Sequence, residues 1–181
     1  MKIEQDILPP SKWSRPQIRL ERVTGIVIHW VASPGATAKQ IRDYFAQVTR
    51  YASAHYIIDI DGSIIQAIPE EEVAYHAGPS DRTREDTRRS LGGLPNWRTI
   101  GIELCHPDWT GEFSWRTVES AISLTADIAH RKGVDVMRNV LRHYDCTGKH
   151  CPKWYVEHPD AWRDFREDVS IALAPRNVSR I

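Results

Sequence analysis

Apolar positions recur along this chain in two rhythms, one of strands and one of helices. Residues 24–31 (TGIVIHWV) form a nearly continuous apolar run rich in β-branched side chains, the pattern of a strand buried on both faces. Pro34-Gly35 then turns the chain. Ala38, Ile41, Tyr44, Phe45 and Val48 fall at helical spacing, which predicts an amphipathic helix over 37–49. Residues 54–60 and 63–68 flank Asp61-Gly62, a hairpin signal. Residues 78–97 are polar, Arg-rich and punctuated by glycine, and predict a long surface loop with a solvated Arg82–Arg89 charge cluster. Residues 99–105 (TIGIELC) repeat the strand pattern. Ser114 is placed to cap a helix over 115–132, with Val118, Ala121, Ile122, Thr125, Ile128 and Ala129 on one face. A short strand at 139–143 and a last helix over Pro159–Leu173 complete the pattern. Strands alternating with helices predict an α/β domain, a central mixed sheet flanked by helices. It spans residues 23–174, preceded by an extended arm, 1–22, containing Pro9, Pro10 and Pro16, and followed by a tail, 175–181.

Composition narrows the class. A chain of 181 residues suffices for one domain with a real core. Lys and Arg number 24 and Asp and Glu 24, so formal charge cancels, which speaks against nucleic acid as a partner. No apolar run approaches the ~20 residues of a membrane span. The opening MKIEQDILPPSKW has no apolar core of a secretory signal, so synthesis in the cytoplasm and no membrane insertion are expected. The three cysteines, Cys105, Cys146 and Cys151, are too few for a disulfide scaffold. A monomer is expected.

Strand alternation then places chemistry. Val27 and His29 share one face of the first strand, opposite Ile26, Ile28 and Trp30. Gly101, Glu103 and Cys105 share one face of the 99–105 strand, where Gly101 is expected to leave open space beside Glu103. Leu141 and His143 lie on one side of the 139–143 strand. Three strand ends thus bring two imidazoles and a carboxylate toward one cleft. The segment HYDCTGKHCP, 143–152, sets Cys151 eight residues after His143 across a glycine loop, so both can reach one metal, with His29 as the natural third ligand. Zinc accepts such N and S donors and in catalytic sites keeps a fourth position for water. Each residue also has a bland reading. A lone buried histidine is ordinarily a satisfied core residue, a strand glutamate a structural ion pair, and a loop lysine a solvated charge. His55 is expected to hydrogen-bond within the sheet and His76 to line the cleft. Cys105 and Cys146 read as buried thiols, and His106, His130, His150 and His158 as surface residues.

Four segments, IVIHW at 26–30, SAHYIIDIDGSIIQAIPEEEVAYHAG at 53–78, TIGIELC at 99–105 and HYDCTGKHCP at 143–152, resemble in kind and order the zinc-dependent N-acetylmuramoyl-L-alanine amidases. That family includes phage amidases, bacterial cell-wall amidases and peptidoglycan recognition proteins, and the resemblance implies their fold. It implies zinc ligands at His29, His143 and Cys151, an acid/base at Glu103 and a cationic stabiliser at Lys149. Some phage relatives carry a catalytic tyrosine where this chain has Ala54, so that role does not transfer and Glu103 is left with the proton transfer. The partner implied is peptidoglycan, glycan strand and stem peptide, cleaved between N-acetylmuramic acid and L-alanine. The implied setting is a phage endolysin, reaching the wall through a phage-encoded pore, or a bacterial autolysin. Two alternatives share the resemblance: a recognition module without catalysis and a cytoplasmic amidase recycling muropeptides.

Overall fold

The computed structural model describes residues 1–173; the expected tail, 175–181, lies outside the described residues. Among the described residues six strands form one mixed sheet: β1 (Ile3–Gln5), β2 (Gly25–Trp30), β3 (Tyr56–Ile58), β4 (Ile64–Gln66), β5 (Thr99–Leu104) and β6 (Val140–Arg142). Their order across the sheet is β1-β4-β3-β5-β2-β6. Only the β3–β4 hairpin, turned at Asp61-Gly62, is antiparallel; the other neighbours run parallel. The parallel centre explains the sequence pattern, because strands covered on both faces carry apolar residues on both.

One face carries Ile26, Ile28, Ile100, Ile102 and Leu104 and packs under α3 (Trp115–Lys132) and α7 (Pro159–Leu173). The opposite face carries Ile57, Ile65 and Cys105 and packs against Ala38, Ile41 and Phe45 of α1 (Ala38–Gln47). Two of these helices, α1 and α3, begin where local chemistry sets them. Thr37 and Gln40 form a reciprocal capping box at α1. Ser114 accepts the Thr117 N–H at α3, which ends at Gly133 in the left-handed conformation. The N-terminal segment supplies the edge strand β1 and buries Leu8, and Arg42 donates to the carbonyls of Asp6 and Ile7.

Glu70, beyond the end of β4, ties β3 to α3. Its buried carboxylate accepts from Tyr56 Oη at 2.9 Å and from Arg131 through two bonds of 2.7 Å, with Lys132 Nζ at 2.9 Å. Burial works against the charge, but these partners hold the group down at about 2, below the ordinary 4.5.

Three expectations are corrected. The 78–97 segment is not a plain loop: it holds α2 (Glu85–Leu91) and single helical turns at Ser80–Arg82 and Pro95–Trp97. His143 does not continue the strand but starts α5 (His143–Thr147), so the two-residue alternation stops at Arg142. The reason is capping: Asp145 accepts the Arg142 N–H at 2.8 Å and its guanidinium at 2.7 Å. Two further helices, α4 (Val136–Asn139) and α6 (Lys153–Glu157), flank this region. His106, expected on the surface, is fully buried, stacked on Trp30 at 4.7 Å between ring centroids.

Candidate metal centre and active site

The site forms where the parallel strands end. His29 is the penultimate residue of β2 and the register partner of Glu103 on β5. His143 begins α5 immediately after β6, the other neighbour of β2. Cys151 returns to this point because the chain reverses at Gly148, left-handed at φ 78°, and the Cys151 carbonyl accepts the Tyr144 N–H at 2.8 Å. The donor atoms of His29, His143 and Cys151 then lie within 4.8 Å of one another, all three residues buried. Cys151 Sγ stands 3.8 Å from His29 Nδ1. Such a group could hold a metal ion.

Burial sets the charge states. Desolvation, and then the neighbouring His143 and His76, hold His29 well below its ordinary value, so the ring is neutral. Desolvation, with Lys149 adding to it, lowers His143 to about 4. The Cys151 thiol is pushed up to about 12, first by burial and then by Glu103. Glu103 is pushed up to about 8 by burial, against the pull of Lys149. Its Oε2 is buried with no hydrogen-bond partner among the described residues, so no structural ion pair accounts for this carboxyl.

Gly101 does not leave open space beside Glu103. A Cβ there would stand 2.5 Å from His76 Cγ, because the His76 ring lies against the strand. His76 borders the cleft but turns its ring inward, with Nδ1 3.0 Å from His29 Nε2. His55 sits within the sheet, accepting the Gly101 N–H at Nδ1 and placing Nε2 2.9 Å from the Glu72 carbonyl. Cys105 and Cys146 are buried outside the donor group. His130, His150 and His158 are exposed. Asn96, with no notable spacing in the sequence, accepts the backbone N–H groups of His76 and Ala77 at 3.1 and 2.7 Å. The signal available for it was Pro95, which opens a helical turn as proline tends to do.

A cleft of about 360 Å³ opens over the centre, walled by Tyr44, Phe45, Tyr75, Glu103, His143 and Lys149. It shares Val31, Ala32, Ile41, Tyr44, Arg50 and Lys149 with a shallower hollow of about 770 Å³ beside α1, so the two form one elongated groove. Lys149 is exposed on the groove wall. A hollow of about 800 Å³ near Ile18, Leu94 and Trp97 contains none of the donor group, so chemistry and not size identifies the site.

Residues 19–154 match the family described as N-acetylmuramoyl-L-alanine amidase. The N-acetylmuramoyl-L-alanine amidase BlyA of Bacillus subtilis (strain 168) is 34% identical over 180 residues, 96% of this chain and 48% of the relative. A probable N-acetylmuramoyl-L-alanine amidase of Bacillus licheniformis is 35% identical over 183 residues, 99% of this chain and 50% of the relative. The chain thus spans about half the length of these curated relatives. The solution structure of the PlyG catalytic domain superposes with a TM-score of 0.77 over 98% of each chain, at 21% identity, a likeness of fold.

Proposed function

The chain belongs to the N-acetylmuramoyl-L-alanine amidase family, and from that premise we propose that it hydrolyses the amide between N-acetylmuramic acid and L-alanine in peptidoglycan, with zinc as its metal. The observation that carries this reading is the meeting of His29, His143, Cys151 and Glu103 at one cleft in a chain of this family.

The residues present fit the metal. Tetrahedral zinc, with ~2.3 Å to sulfur and ~2.0–2.1 Å to nitrogen, puts those donors about 3.6 Å apart; Cys151 Sγ and His29 Nδ1 are 3.8 Å apart. Both imidazoles are neutral, as ligands must be. A buried thiol ionises only where a cation compensates the thiolate, and the neutral histidines beside Cys151 supply no such charge. His29, His143 and Cys151 would hold the ion. When bound, zinc supplies Lewis acidity that polarises an amide carbonyl and makes water nucleophilic near neutral pH.

The protein's own groups do the rest. Glu103, adjacent to His29 with one oxygen free of partners, would be drawn to its ionised form by a cation held at His29, His143 and Cys151, and in that form takes the proton of the attacking water and passes it to the departing L-alanine amine. Lys149, on the groove wall, offers positive charge to the amide oxygen as it becomes negative. The elongated groove suits a polymer lying across the site, with the glycan strand in one part and the stem peptide in another. The protein would act on the cell wall, as an endolysin or autolysin does.

The test is mass spectrometry of purified walls digested with zinc-loaded protein. The expected products carry new L-alanine amino termini and glycan strands with free lactyl groups. Cleavage of a glycosidic or peptide–peptide bond, or no product from zinc-loaded protein on walls, would overturn the proposal. Turnover of soluble muropeptides alone would favour a recycling enzyme.

A further inference from the structure

A line of buried polar side chains runs from His29 away from the cleft. His29 Nε2 lies 3.0 Å from His76 Nδ1. His76 Nε2 lies 3.3 Å from Thr99 Oγ1. Thr99 Oγ1 lies 2.7 Å from the Pro95 carbonyl. Every member is buried.

The far end of this line sets its direction. A carbonyl only accepts, so the Thr99 hydroxyl spends its one proton on Pro95. Toward His76 it can then only accept, so His76 Nε2 carries a proton. His76 is buried, and no carboxylate hydrogen-bonds it among the described residues, so its ring is neutral and Nδ1 holds a lone pair. That lone pair accepts from His29 Nε2–H. The neutral His29 ring therefore keeps its other lone pair on Nδ1, the atom that faces Cys151. We infer that His76 and Thr99 are positioning residues that lock His29 into the tautomer presenting Nδ1 to the metal, before any metal arrives.

The supports of the line are specific to this role. Gly101 lets the His76 ring lie flat on β5, where any larger residue would collide with it. Asn96 holds the backbone of residues 76–78, accepting from His76 N and Ala77 N and donating to the Gly78 carbonyl at 3.1 Å. The same helical turn, Pro95–Trp97, supplies both Asn96 and the terminal Pro95 carbonyl. Ligand histidines commonly donate their second N–H to a carboxylate or a backbone carbonyl, and losing that partner typically costs 10–100-fold in metal affinity. Here the partner is a neutral imidazole, so orientation is fixed without adding negative charge to the centre.

This inference rests on the metal site proposed above, and the experiment keeps the two separable. Four variants are compared with wild type: His76→Phe, which keeps a ring but removes the acceptor; His76→Asn, which restores an acceptor near Nδ1; Thr99→Val; and Thr99→Ser. Nitrogen-15 NMR of the histidines in metal-free protein reads the tautomer, and competition with a chromophoric chelator reads zinc affinity. Thermal unfolding checks the fold of each variant. Wild-type His29 should be protonated on Nε2 and not on Nδ1. His76→Phe should bind zinc about 10–100-fold more weakly, with His76→Asn recovering most of the loss. Thr99→Val should mix the His29 tautomers and weaken zinc severalfold, while Thr99→Ser matches wild type. If His76→Phe fails to fold, Thr99→Val against Thr99→Ser decides the matter. Wild-type His29 protonated on Nδ1, or folded Thr99→Val with an unmixed tautomer and wild-type affinity, overturns the inference while leaving the metal site standing. Wild-type protein that binds no zinc but shows the Nε2–H tautomer would sink the metal site and not the relay.

Discussion

His29 and Glu103 are register partners on adjacent parallel strands, β2 and β5. The spacing between a proposed zinc ligand and the proposed proton carrier is therefore set by strand pairing and not by loop conformation.

Glu103→Gln should lower turnover by roughly 10²–10⁴-fold, the usual contribution of general acid–base catalysis. Zinc content should be unchanged, because Glu103 is outside the donor group. Stability should hold or rise, since an uncharged amide replaces a buried carboxyl whose Oε2 has no partner. Release of new amino termini from walls, measured beside zinc content and urea unfolding, checks all three. A folded, zinc-loaded variant within about threefold of wild-type rate removes Glu103 from the mechanism.

Cys151→Ser should lose most bound zinc and, with it, the stabilisation that zinc gives the native state. A ligand held at a hundredfold excess over its dissociation constant adds about 2.7 kcal/mol. Wild type should therefore melt at a clearly higher temperature with zinc than after chelation, and the variant should show little difference. An equal zinc-dependent shift in both proteins would mean that Cys151 is not a ligand.

Gly101→Ala tests the close approach directly. Its Cβ would stand 2.5 Å from His76 Cγ. The strand cannot easily yield, because the Gly101 N–H donates to His55 Nδ1 and its carbonyl accepts from His55 N, each at 3.0 Å. Overpacking of this kind costs about 1–3 kcal/mol, and displacing His76 should weaken zinc binding as well. Denaturant unfolding of the metal-free protein and a zinc titration read the two effects separately. A variant equal to wild type in both would show that the His76 ring moves aside freely.

Acid stability should carry the mark of Glu70. Its native pKa, about 2, is below the ordinary 4.5, so the unfolded chain binds its proton first. The stabilisation is full above about pH 4.5 and drains away as pH falls toward 2. Glu70→Gln should be less stable than wild type at neutral pH, with the gap closing across that window. Urea midpoints of both proteins from pH 2 to 6 check it; a gap that stays constant would refute the linkage.

The fold was largely legible because its strongest signals are local. Ser114, at the cap of α3, and Gly133, just past its end, mark that helix within a residue. β2 and β5 stand out as β-branched apolar runs. The helix α2 escaped because EDTRRSL buries only Thr87 and Leu91, too little apolar patterning to read. α5 escaped because five residues carry no period, and a side-chain cap from Asp145 starts the helix. His106 is buried by stacking on Trp30, a tertiary fact with no local trace. The donor group was readable because its residues stand at strand ends and in one short loop. The bond between His29 and His76 was not, since it depends on a glycine in a third segment.

Parallel pairing of β2 with β5 and β6 has a kinetic side. Parallel neighbours cannot form from adjacent segments, so these pairings wait for distant parts of the chain and form slowly. The donor atoms come from the ends of those same pairings, so a refolding chain has no complete metal pocket until its central sheet has closed. In stopped-flow refolding with cobalt(II), the thiolate absorption should appear only with or after the final fluorescence phase. Colour that develops in an earlier phase would mean that the 143–151 loop captures metal before the sheet is built.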